Sequence, residues 1–182
     1  MEPVPGPQTV DDLFACLAVG DRAFDGETID LLAHGLQCAA LLAAADPDDL
    51  ELQIAGLLHD VGTIVAPGQP SRHARIGADV VRPLLGDRVA ALVGGHDWAK
   101  RYLVTTDATY RERLSPRSIA TLRGQGGLLD PTERSAFEQR SEFDALLALR
   151  RADDDAKEQG RAVPPLEHWR RAVDELVAAQ TR

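Results

Sequence analysis

Ala55-Gly56-Leu57-Leu58-His59-Asp60-Val61-Gly62 decides how the chain is read: an apolar run of helical character ends on an imidazole and a carboxylate side by side. Neighbouring residues on a helix point about 100° apart, so His59 and Asp60 cannot share one ion as an i, i+4 pair would. They can serve two ions, with the imidazole on one and the carboxylate reaching to the second. A carboxylate in apolar company needs a cation or strong donors, because an unpaired buried charge is costly. Taken alone, the dipeptide fits equally a helix-terminal histidine followed by a capping aspartate.

Outward from this string the pattern is helical almost throughout. A short helix is expected over residues 9–18, a break over 20–26, and a Leu- and Ala-rich helix over 28–45 that carries His34. Asp46-Pro47 reads as an N-cap with proline at the first helical position, opening the helix that ends at His59-Asp60. Pro67-Gly68-Gln69-Pro70 forms a loop, and Ser71 caps a helix reaching about Leu85 with His73 in its first turn. Beyond Gly86, the residues Val89, Leu92, Val93, His96, Lys100 and Leu103 follow helical spacing. Ser115-Pro116 and Asp130-Pro131 repeat the cap-then-proline pattern, and Glu133 completes a capping box with Asp130. A helix over 141–159 stops at Gly160, and an amphipathic helix follows Pro164-Pro165. No stretch alternates with the period of a strand. The expectation is an all-α single domain over residues 1–182 with about eight helices, the last packing on the rest over about 165–180.

Composition narrows the function. The 182 residues carry 29 acidic and 20 basic side chains, a net charge of −9, so the basic footprint of a nucleic-acid binder is missing. The longest uncharged stretch, residues 31–45, is too short to span a bilayer and contains His34 and Gln37, so no membrane association is expected. The first residues lack the basic and apolar regions of a secretory signal. Cys16 and Cys38 sit in apolar runs with no partner pattern and read as core, which with the missing signal points to the cytoplasm.

Four of the five histidines fall where a metal site would need them. His34 lies inside an apolar helix. His73 starts a helix, where the dipole favours the neutral, ligating ring. His96 follows Gly94-Gly95, small residues that admit a close neighbour, and Asp153 opens an Asp-Asp-Asp run that would otherwise be a solvated face. Four imidazoles and two carboxylates on several helices are what a two-metal centre in a bundle requires. Lys100 stands one turn beyond His96 and Arg150 one turn before Asp153, placing cations beside candidate ligands as an anionic substrate would want. The fifth histidine, His168, reads as a surface or packing residue, and Trp98 and Tyr102 as core.

The order His34, His59-Asp60, His73, His96, Asp153 resembles the HD-domain superfamily over about residues 24–157, whose members are mostly metal-dependent phosphohydrolases. The segments His96-Asp97-Trp98-Ala99-Lys100-Arg101-Tyr102-Leu103, Leu114-Ser115-Pro116-Arg117-Ser118, Gln125-Gly126-Gly127 and Leu149-Arg150-Arg151-Ala152-Asp153-Asp154 resemble its phosphonate-cleaving, PhnZ/TmpB-like oxygenases, relatives of myo-inositol oxygenase. That resemblance implies an HD-type helical bundle holding a mixed-valent Fe(II)/Fe(III) pair. One iron would be held by His34, His59, Asp60 and Asp153, the other by Asp60, His73 and His96, with dioxygen as co-substrate. Lys100, Ser118, Gln125 and Arg150 would grip the phosphonate, and Glu27 would face an amino end. The implied reaction cleaves the C–P bond of a 2-amino-1-hydroxyethylphosphonate-like substrate to phosphate and a carboxylic acid, with Asp60, Lys100 and Glu27 in the catalytic set.

Two positions depart from the pattern. Phe24 stands where those enzymes carry a tyrosine able to occupy the second iron, and a phenyl ring cannot ligate. Thr63 replaces a histidine at the phosphonate, keeping a hydroxyl donor without the charge. Two other functions use the same residues: a phosphohydrolase activating water on a phosphate ester, and a non-catalytic HD-fold protein that binds a ligand without turnover.

Overall fold

Six helices of this chain begin where a short polar side chain accepts from the free N–H groups of the first turn. The computed structural model describes residues 6–24 and 27–180. Thr9 and Asp12 form a capping box that opens α1 (Val10–Val19), and Asp30 accepts from the Ala33 N–H to start α2 (Leu31–Ala45). The next helix, α3 (Leu50–Leu58), is capped by Asp49 and not by Asp46, which instead closes α2; Pro47 lies in the turn between them. Asp49 also takes two hydrogen bonds from Arg88 at 2.6 and 2.7 Å, which fixes the cap three residues later than the Asp-Pro pattern suggests.

A five-residue helix, α4 (Val61–Val65), follows the His59-Asp60 turn, and a loop leads to α5 (His73–Thr106). Arg72, not Ser71, is the N-cap of α5, without a side-chain bond. Gly86, at φ 83°, breaks α5 into two rods where the sequence predicts two helices. Then come α6 (Ala108–Arg113), α7 (Pro116–Gly124) capped by Ser115, α8 (Pro131–Glu138) with its Asp130–Glu133 capping box, and α9 (Phe143–Asp155). A 3-10 turn (Leu166–Trp169) leads into α10 (Arg170–Gln180). The described residues thus hold ten α-helices and no strand, two more helices than expected because α4 and α6 are short segments with turns of their own. The Pro-rich start and Gly26 lie partly or wholly outside the described residues. Among the described residues, no helix is long and apolar enough to cross a membrane.

The core joins α1, α2, α3, α5, α9 and α10, with Leu13, Ile54, Leu58, Leu85, Leu92, Leu146 and Leu149 all at 1% exposure or less. Tyr102, Phe137 and Phe143 meet ring to ring at 5.2–5.4 Å and seat α8 and the start of α9 against α5, so the core reading of Tyr102 holds. Trp169 and Val173 enter the same core from the C-terminal segment. His168 is exposed beside Trp169, as expected of a surface residue.

The helix expected over 141–159 ends early, and the reason is local to the site. Past Asp155 the carbonyls of Ala156 and Glu158 turn toward α2, accepting at 2.8 Å from His34 Nδ1 and Gln37 Nε2. The Glu158 N–H donates to Gln37 Oε1. Residues 156–159 therefore form an irregular strap tied to α2 instead of a further helical turn.

One close approach sets the distance between α2, which carries His34, and α3, which ends at His59. A Cβ at Gly35 would stand 2.6 Å from the Leu57 carbonyl oxygen, so only glycine lets α2 cross α3 beside His34. Gly35→Ala is expected to cost about 1–3 kcal/mol of stability, measured by denaturant unfolding, since backbone rather than a movable side chain blocks the added methyl.

Candidate metal centre

Six side chains from five stretches of chain converge. His34 comes from the middle of α2, His59 from the C-cap of α3, Asp60 from the turn into α4, His73 from the first residue of α5, His96 from the second rod of α5, and Asp153 from the last turn of α9. All but Asp60 are buried, His59 completely. They form two triads of candidate ligands, His34–His59–Asp153 and Asp60–His73–His96. The Asp153–155 run is thus not a solvated face: Asp153 is in the cluster, Asp154 pairs with Arg150, and only Asp155 is exposed.

Each imidazole is oriented from behind. The Nδ1 atoms of His34, His59, His73 and His96 lie 2.8, 2.8, 2.8 and 2.7 Å from the carbonyl oxygens of Ala156, Gly56, Pro70 and Val93. A carbonyl only accepts, so each Nδ1 carries the proton and each neutral ring presents an Nε2 lone pair to the centre. The His34 and His59 Nε2 atoms are 3.1 Å apart, those of His73 and His96 2.9 Å. Two lone pairs at that distance have no proton to share and are held together only by a cation between them or by protonation of one ring. Ligands bound to one ion at about 2.1 Å stand about 3 Å apart along an octahedral edge, which matches these separations.

Asp60 spans the two triads. Its Oδ1 is 3.1 Å from His73 Nε2 and 3.9 Å from His96 Nε2, while its Oδ2 is 3.7 Å from His59 Nε2 and 3.9 Å from His34 Nε2. Asp153 Oδ1 closes the first triad at 3.2 Å from His34 Nε2, and its Oδ2 accepts from Arg150 Nη1 at 2.6 Å. An all-nitrogen-and-oxygen donor set with one carboxylate between two imidazole pairs suits borderline divalent and trivalent metals. The residues fit a pair of ions.

Charge in the cluster is strongly coupled. Burial alone would lower the His34 pKa, but Asp153 and Asp60 hold it up, to about 9. For His73, burial and the helix start both favour the neutral ring, yet the hydrogen bond and charge of Asp60 raise its pKa. His96 goes the other way, pushed well below the usual range by burial and by the neighbouring His73 and His59. Asp60 and Asp153 stay ionised far below the ordinary carboxylate range: burial opposes this, but His59 and His73 act on Asp60, and Arg150 and His34 on Asp153.

The cluster floors a cavity of about 50 Å³. Ile29, Leu31 and Pro70 wall it with apolar surface, and Glu27, Thr63, Lys100, Ser118, Gln125 and Arg150 all line it. Lys100 is 4% exposed, donates to Thr121 Oγ1 at 2.9 Å, and has its pKa lowered to about 8 by burial and by Arg150. Gln125 Oε1 is buried without a hydrogen-bond partner. Arg150 is tied down more fully than a simple anion grip would be: it donates to Asp153, to Asp154, to the Tyr110 hydroxyl at 2.8 Å and to Ser118 Oγ at 3.4 Å. Phe24 is 62% exposed and does not line the cavity. Trp98 does not line it either; it stacks with Arg101, whose guanidinium carbon is 4.6 Å from the ring.

Thr121 and Lys157, which no motif above contains, complete the walls, and Arg101 supports one of them from behind. Thr121 lies one turn past Ser118 on α7, a helical-spacing signal that could have identified it. Arg101 donates to the carbonyl of Gly127 at 3.0 Å and to Glu133, pinning the loop that carries Gln125. Lys157 lines the cavity from the strap after α9, where no helical periodicity marks it.

The His34 proton makes metal uptake pH-dependent. Its pKa of about 9 in the folded, metal-free chain, against 6.5 for a free side chain, gives stability that is full below about pH 6.5 and lost as pH rises through 9. Metal needs the unprotonated ring, so its affinity moves the opposite way. Between about pH 6 and pH 9 the melting temperature of the metal-free protein is expected to fall. The gain in melting temperature on adding a divalent metal is expected to grow, and a gain that shrinks over this range would contradict ligation through His34.

The HD domain family model matches residues 31–120. Over 179 residues the chain is 33% identical to the hydroxymethylphosphonate dioxygenase of Gimesia maris, covering 93% of this chain and 88% of that protein. Over 166 residues it is 30% identical to the [1-hydroxy-2-(trimethylamino)ethyl]phosphonate dioxygenase (glycine-betaine-forming) of Leisingera caerulea, covering 87% and 84% of the two. With six converging candidate ligands in the HD order and similarity spanning nearly the whole length, the chain belongs to the HD-domain family, on its phosphonate-dioxygenase branch.

Proposed function

We propose that the protein is a diiron oxygenase that cleaves the C–P bond of a small 1-hydroxyphosphonate, with His34, His59, Asp60 and Asp153 holding one iron and Asp60, His73 and His96 the other. The observation that carries this is the placement of Asp60, one carboxylate facing two imidazole pairs at the floor of a cavity lined by buried cations. The relatives' names support the phosphonate and the use of dioxygen.

The sum balances without an external reductant: R–CH(OH)–PO3H2 and O2 give R–COOH and H3PO4, one oxygen added to carbon and one to phosphorus. When bound, the iron pair supplies the redox step and the anchoring of the substrate's oxygens. The chain's own groups do the rest. Lys100 is a near-neutral-pKa cation held on Thr121, ready to meet phosphonate charge with little solvent between. The Ser118 hydroxyl and the Gln125 amide add directional polar contacts, and Thr63 offers a further hydroxyl. Arg150 acts from one side on Asp153 and from the other on Ser118, so it ties the ligand to the anion-binding wall. Ile29, Leu31 and Pro70 keep water low around the reacting carbon.

Two measurements test the reading. Anaerobically purified protein loaded with two irons per chain is expected to take up oxygen and release phosphate only when a 1-hydroxyphosphonate is present. Turnover of a phosphate ester without oxygen would instead establish the phosphohydrolase, and saturable binding with no turnover of either would establish a ligand-binding protein. Asp60→Ala is expected to lower iron content toward one or none per chain, while Lys100→Met leaves iron content unchanged and raises KM by about 10- to 100-fold, the range for loss of a hydrogen bond to a charged group.

A further inference from the structure

The wall of the cavity away from the ligand cluster carries a self-contained ion pair. Glu27 Oε1 accepts from the Ser115 hydroxyl at 2.6 Å and lies 3.2 Å from Lys157 Nζ, with both charged side chains less than a fifth exposed. Among the described residues, neither Glu27 nor Lys157 has a hydrogen bond or ion pair to any of the six candidate ligands. The pair is also held in place from behind. Lys157 sits between Ala156 and Glu158, whose carbonyls accept from His34 Nδ1 and Gln37 Nε2 on α2, and Gln159 Nε2 donates to the carbonyl of Thr28 beside Glu27. The backbone on either side of Lys157 is thus tied to α2, and its ammonium, less than a fifth exposed, is paired with Glu27.

We propose that Lys157, through its pair with Glu27, makes this chain select a hydroxyphosphonate with a short uncharged tail. The proposal rests on the phosphonate reading above and specifies its substrate. An ammonium-bearing tail brought to Glu27 would have to share one carboxylate with the Lys157 ammonium at close range. A carboxylate-bearing tail would face Glu27. Each charge of the pair thus repels one class of charged tail, which is selection by repulsion as much as by contact. A hydrogen, methyl or similar tail meets neither repulsion, and the small cavity favours it further. The amine-tailed substrate implied by the resemblance is the one this wall disfavours.

The test is a comparison of kcat/KM, by phosphate release from the iron-loaded full chain. Four substrates are used: hydroxymethylphosphonate, 1-hydroxyethylphosphonate, 2-amino-1-hydroxyethylphosphonate and a carboxylate-tailed 1-hydroxyphosphonate. The two uncharged tails are expected to exceed both charged ones by about tenfold or more. Lys157→Met keeps the stem and removes the charge, and is expected to raise the ratio of amine-tailed to uncharged turnover by about tenfold. Adding Glu27→Gln to that variant should cancel the gain, an outcome that loss of packing alone would not produce. Wild-type preference for the amine tail, or a ratio shift below about threefold in Lys157→Met, would overturn the proposal while leaving the oxygenase intact. The wild-type order decides by itself if the variant fails to fold, and failure to turn over any of the four would remove the phosphonate reading and this proposal together.

Discussion

Four ring N–H groups, each committed to a backbone carbonyl, are the constraint on which the rest of the structure depends. Once His34, His59, His73 and His96 spend their only proton on Ala156, Gly56, Pro70 and Val93, their other nitrogens are acceptors with no donor among themselves. Packing four acceptors and two carboxylates at the junction of α2, α3, α5 and α9 is unfavourable unless positive charge enters. In the metal-free protein Asp153 and Asp60 favour a proton on His34, and Asp60 raises the pKa of His73 in the same way. A pair of metal ions would offer the same compensation to the two triads together. Folding thus builds a site whose own electrostatics call for cations, and the helix packing that holds the carbonyls in place is what the ions act against.

Arg150 extends that logic outward. Its guanidinium neutralises Asp153 and Asp154 together, receives the Tyr110 hydroxyl into the same network, and contacts Ser118 on α7. A fully buried cation with partners on both sides is costly to disturb, because removing it leaves two carboxylates without compensation. It therefore joins the candidate-ligand side of the cavity to the Ser118 wall in one side chain.

Much of this was legible from the sequence because helix ends and helical spacing are local. The Asp130–Glu133 box, the Ser115-Pro116 start and the break at Gly86 are written in a few adjacent residues, and all stand in the structure. Lys100 and Thr121 are each one turn from a residue already singled out. Where the reading failed, a distant partner decided. Asp49 takes the cap of α3 from Asp46 with Arg88 bonded to it, and α9 stops at Asp155 with the Glu158 N–H, which a further turn would have used, given to Gln37 on α2. Lys157 was hidden for the same reason, since its place depends on a strap that only the folded α2 creates. The Asp153–155 run taken alone is ambiguous, because a triple acid looks alike in solvent and in a cluster; the order of the other candidate ligands singles out Asp153, and the structure places it among them.

The two rods of α5 carry a further consequence for how this chain can change over time. His73 and His96 belong to one triad yet lie on either side of the Gly86 bend, so their alignment is set by a fixed count of residues and a single bent joint. One residue added to or lost from either rod would swing one ring by about 100° relative to the other and carry its Nε2 away from Asp60. The start of the loop after α4, from Ala66 to Gln69, and the turn between α8 and α9 have no such arithmetic to satisfy. Length variation in descendants of this sequence should therefore accumulate in those connections, while the interval from His73 to His96 keeps its length even if nearly every residue within it is exchanged.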